Sequence, residues 1–149
     1  MNGSAGVMAL VLAETVAGAL ALLWLTPLWS EVKRGFFKLT MAILLGLAVA
    51  TWFAARSGLV EGDRAGELSV RLALVSLAVV AVGTVLLFFK RESAARVVGL
   101  VSVPASVAVL AAMAGTGRQA WALGFFQLLA GGFFLGSVVD GLLLGHWYL

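Results

Sequence analysis

The chain has 149 residues, of which 62% are hydrophobic and only 11% charged, with a mean hydropathy of +1.10. A soluble domain carries about 25% charged residues, so this composition excludes an ordinary water-soluble globule. The absence of cysteine excludes disulfides, thiolate metal sites and thiol redox chemistry.

The net charge is +3, but the bases lie between apolar runs rather than in one block. They read as membrane-flanking residues, with lipid as partner and no nucleic-acid surface. The pattern predicts an all-α bundle of five transmembrane helices, at about 5–28, 39–55, 68–89, 94–115 and 121–149. These form a single domain over 1–149.

The first run lacks a basic flank and is too long for the apolar core of a signal peptide, so it is expected to stay as a span. Trp24, Pro27 and Trp29 mark its exit, with tryptophan at the interface. Ala9, Ala13, Ala17 and Ala21 form a small-residue ladder at i+4 spacing, a close-packing face. Glu14 lies near the middle of the span. Residues 29–38 are expected to form a short basic connection.

The second run carries another ladder, Ala42, Gly46, Ala50 and Ala54. Two ladders on consecutive antiparallel spans predict that the first two helices meet face to face. Residues 56–67 interleave Gly58, Gly62 and Gly66 with charges and read as an exposed loop. In the third run Arg71 is close enough to the end to snorkel, and Phe88 and Phe89 mark the far boundary.

The connection 90–96 is short and basic. Pro104 falls inside the fourth run and frees a backbone carbonyl one turn earlier. Ser102 and Ser106 flank it and could satisfy the local backbone. A kink is expected there, with Pro104 a hinge candidate. Residues 116–120, including Arg118, form a turn before the fifth run.

That last run holds Gln127, Asp140 and His146, the only histidine. On an ideal helix Asp140 points roughly 120° from His146 and roughly 140° from Gln127. Polar groups on three faces predict a helix surrounded by others, or one whose last turns leave the hydrocarbon. Gly124, Gly132 and Gly136 line the face that ends in Asp140 and predict another close helix contact. The end 146–148 looks interfacial, and the lack of a polar tail leaves open that the sequence continues past Leu149.

The loops after spans one and three carry Lys33, Arg34, Lys38, Lys90, Arg91 and Arg96; the opposite side carries Arg56, Arg64, Arg71 and Arg118. Six against four places the N-terminus outside and the C-terminus in the cytoplasm, in the plasma or inner membrane.

Four residues are candidates for proton, ion or ligand binding: Glu14, Asp140, His146 and Gln127. A carboxyl inside a span is a functional hypothesis by default; hydrocarbon disfavours its charged form, so Glu14 reads as neutral or as a proton acceptor unless paired. The alternative is a structural hydrogen bond to a neighbouring helix. Asp140 lies nearer the cytoplasmic interface than Glu14, so the two are not expected to pair directly. Arg96 or Lys90 could pair with Asp140. His146, beside Trp147 and Tyr148, could meet a quinone head group or, in a dimer, a haem; no cofactor or metal is required. Enzyme signatures are absent: there is no GxSxG, HExxH or phosphate-binding loop.

Leu12-Ala13-Glu14-Thr15-Val16-Ala17-Gly18 resembles the first helix of the small multidrug resistance transporters. The resemblance covers those residues alone and implies proton-coupled efflux through Glu14. The chain departs from that family in its extra span, in the absence of a tryptophan motif in span three, and in its charge bias.

Three functional classes remain. The first is a non-catalytic membrane subunit of a larger assembly, respiratory or quinone-linked among the options, with other subunits or a second copy as partner. The second is a small proton- or ion-coupled transporter using Glu14. The third and weakest is an intramembrane enzyme.

Overall fold

The computed structural model describes residues 3–26, 33–59, 63–117 and 119–148, and only the backbone of 147 and 148. Pro27, Trp29, Glu61, Gly62, Arg118 and the side chains of Trp147 and Tyr148 lie outside the described residues. Five helices follow one another: α1 Gly3–Leu25, α2 Arg34–Gly58, α3 Arg64–Phe88, α4 Glu92–Ala114 and α5 Trp121–Tyr148. Each is long and apolar enough to cross a membrane. The all-helical architecture and the number of spans agree with the expectation; the helix ends do not.

α2 starts at Arg34 rather than at 39, so the second half of the supposed basic connection, 34–38, belongs to its first turns. Phe36 there is fully buried, and that burial ties the turn to the core. A hydropathy reading stops at the first base, whereas the backbone hydrogen-bond ladder continues through it. The supposed loop 56–67 is shortened from both sides for the same reason. α2 runs on to Gly58, and α3 opens at Arg64 with Asp63 as its cap, the carboxylate accepting from the Ala65 N–H at 3.2 Å. The connection 90–96 shrinks likewise, because α4 begins at Glu92. Lys90 there adopts φ 59°, which lets the Arg91 N–H return to the Leu86 carbonyl at 3.0 Å in a Schellman-like stop.

α1 is the central element. It packs most extensively on α5 and α2 and also touches α4, while α3 is held between α2 and α4. In its most apolar stretch 50% of residues are buried, against 17% in α5. Of the two alternatives expected for α5, its own chain does not surround it; it leans on α1, with smaller contacts to α4 and α2.

The glycine face of α5 packs as expected. Gly132 and Gly136 are buried, and a Cβ at Gly136 would strike the backbone of Gly18 and Ala19. A Cβ on Gly18 would likewise strike the backbone of Gly132. Two backbones in contact gain dispersion energy in lipid, where no hydrophobic drive separates helix from solvent.

The alanine ladder of α1 is also buried at Ala9, Ala13 and Ala17. The matching ladder of α2 is not. Ala42, Gly46 and Ala50 are exposed and only Ala54 is buried; a Cβ at Gly46 would meet nothing. α2 instead buries Phe36, Thr40, Met41, Leu44, Ala48 and Thr51. Phe36, Met41 and Leu44 cluster with Leu20 and Leu23 of α1, while Ala54 and Ala55 cluster with Ala9, Ala13 and Ala17.

Candidate functional site

The α1–α5 seam holds both buried-depth carboxyls. The helices run parallel, because Gly132 lies against the Glu14 carbonyl and Gly136 against Gly18 and Ala19. Glu14 is half-buried. Its carboxyl rests on Gly131, where an added Cβ would lie 2.8 Å from Oε1. Gly131 therefore makes room for the acid. No hydrogen bond or ion pair to Glu14 occurs among the described residues.

Asp140 lies one turn beyond Gly136 and faces inward, 4% exposed. Both its oxygens lack a hydrogen-bond partner among the described residues. The expected ion pair with Arg96 or Lys90 is not made, and both bases are exposed. Nine residues separate Gly131 from Asp140, about 13.5 Å along a helix, so Glu14 and Asp140 do not pair, as expected. The closed glycine contact stands between them.

The other two candidates leave the seam. Gln127 is exposed and accepts from Gln119 Nε2 at 2.7 Å, one polar pair near the start of α5. His146 is exposed near its end. The three polar faces of α5 are thus met separately, one by α1 and two near the helix ends.

Pro104 lies on an exposed face of an unbroken α4. Ser102 donates to the Gly99 carbonyl at 2.6 Å and Ser106 to the Val103 carbonyl at 2.8 Å. Neither serine therefore donates to the Leu100 carbonyl that Pro104 frees.

Sequence reasoning missed the interior hydroxyls. Thr40, Thr51, Ser69, Ser76, Thr84, Ser102 and Ser106 are all buried. Five of them donate to a carbonyl of their own helix, among them Thr51 to Leu47 at 2.8 Å and Ser69 to Ala65 at 2.7 Å. Such back-bonding hides a hydroxyl from any hydropathy pattern. Between the alanine-rich and the leucine-rich halves of the core, Thr51, Ser76 and Ser106 line a small cavity with Ala13, Val16 and Val109. It has room for about one water.

Compared with known proteins, the chain matches no family model, no curated protein and no solved structure. The likeness of residues 12–18 to the multidrug transporters accordingly gains no support from these comparisons.

Proposed function

We propose that this protein is a non-catalytic membrane subunit of a larger assembly, docked through the outer groove between α1 and α5. One observation carries the reading: the half-buried Glu14 carboxyl has no partner among the described residues. A charged group at bilayer depth costs at least about 2.5–3.5 kcal/mol, and a neutral carboxyl still loses a hydrogen bond. A neighbouring transmembrane helix with a donor at that depth removes both penalties. The apolar flanks of the groove, such as Phe134 and Val11, are exposed and would pack against it.

In this reading the basic end, with Lys33, Arg34, Lys38, Lys90, Arg91 and Arg96, faces the cytoplasm. Purification in mild detergent tests the proposal. The complex is expected to survive Glu14→Gln, which keeps a hydrogen-bonding head, and to dissociate in Glu14→Ala. A chain that runs alone, indifferent to both substitutions, would overturn it.

The second reading is proton- or ion-coupled transport, favoured by two carboxyls on one seam. It predicts a Glu14 carboxyl infrared band that responds to pH and vanishes in Glu14→Gln.

A further inference from the structure

By sequence, the connections after α1 and α3 carry six bases against Glu31 and Glu92, while those at the other end carry four against Glu61, Asp63 and Glu67. Glu31 lies outside the described residues. Side-chain contacts gather the bases of the two connections into one patch. Arg34 and Lys38 stand one turn apart on α2 and share a face. Arg34 reaches Glu92, the first residue of α4, at 2.8 Å. Lys38 Nζ lies 5.5 Å from the centroid of the Phe88 ring, at the end of α3. Lys90 and Arg91 occupy the chain between these two contacts. The turn at Lys90, with φ 59°, is closed by the Arg91 N–H on the Leu86 carbonyl at 3.0 Å, which holds both bases beside the end of α3.

Arg34 and Glu92 neutralise each other. Lys33, Lys38, Lys90 and Arg91 make no ion pair among the described residues, and all but the half-buried Lys38 are exposed. Apolar surface continues the patch along α3. Phe88 and Phe89 are exposed, and so are Val85, Val82 and Val75, which follow down the same helix at helical spacing. Cations at the head of a lengthwise apolar strip match a molecule with an anionic head and hydrocarbon tails.

We propose that the corner formed by the start of α2, the end of α3 and the start of α4 binds an anionic phospholipid. Its phosphate head meets Lys38, Lys90 and Arg91, and its chains lie along Phe89, Val85 and Val82. Bases at a membrane surface draw anionic lipid. A zwitterionic lipid is the poorer fit, because its ammonium meets no free carboxylate here; Arg34 holds Glu92. The site is separate from the α1–α5 groove and from any partner helix docked there. It does not depend on which side of the membrane the basic end faces.

Thermal unfolding of the purified chain in mild detergent tests it, with phosphatidylglycerol or phosphatidylcholine added at equal mole fraction. Phosphatidylglycerol is expected to raise the midpoint as its concentration rises, and phosphatidylcholine to leave it unchanged. The shift is expected to shrink in high salt, to be lost in Lys38→Gln/Arg91→Gln, and to be kept in Arg64→Gln at the other end. Lys90→Gln, at an exposed position, is expected to weaken it and serves alone if the double variant does not fold. Inorganic phosphate, which has no chains to lay on α3, is expected to give no shift. Equal shifts from the two lipids would overturn the proposal, and so would a shift from inorganic phosphate as large as that from phosphatidylglycerol. A phosphatidylglycerol shift undiminished in the folded lysine and arginine variants would do the same.

Discussion

At the scale of single residues, glycine acts here by absence. Gly18 and Gly136 permit contact between two backbones, and Gly99 makes room for the Trp24 ring. Any side chain at these positions must push helices apart. Gly136→Ala is therefore expected to lower resistance to denaturation in detergent by about 1–3 kcal/mol, the usual cost of overpacking. Gly46→Ala, on an open face, is expected to change nothing measurable in the same unfolding series. Equal effects at the two sites would contradict the seam as described.

At the scale of elements, each helix is set by different forces. α3 has a formed cap, since Asp63 accepts from the Ala65 N–H. Asp63→Ala is expected to cost about 1 kcal/mol and to speed amide exchange in the first turn of α3, with the centre of α3 unchanged. α5 is held chiefly by one narrow face, and its remaining faces show Phe126, Phe133, Phe134 and Leu142 outward. Its hold on the bundle should therefore be the first to fail. Limited denaturation followed by amide exchange is expected to expose α5 before α1. Cooperative loss of both would refute that order.

At the scale of the whole molecule, charge divides the bundle into two unlike ends. Because the chain lacks cysteine, single cysteines report sidedness cleanly. A cysteine at Arg91 is expected to react with an impermeant thiol reagent only from the cytoplasm, and one at Asp63 only from outside. The reverse pattern would invert the orientation and leave the packing untouched.

By itself the sequence determined the number of spans, the absence of soluble character, the close face of α5 and the depths of the two carboxyls. These follow from composition and helical periodicity, which act locally and survive any arrangement of neighbours. Only the tertiary structure decided which faces meet. The ladder of α2 and that of α1 are alike on paper, yet Gly46 and Ala50 face outward while Ala13 and Ala17 are buried. In a chain apolar on every side, hydrophobicity does not say which face turns inward; complementarity of shape does. The same holds for Asp140. Its place toward the far end of α5 was readable, but its burial without an ion pair among the described residues comes from the packing of α5 on α1, which no single helix encodes.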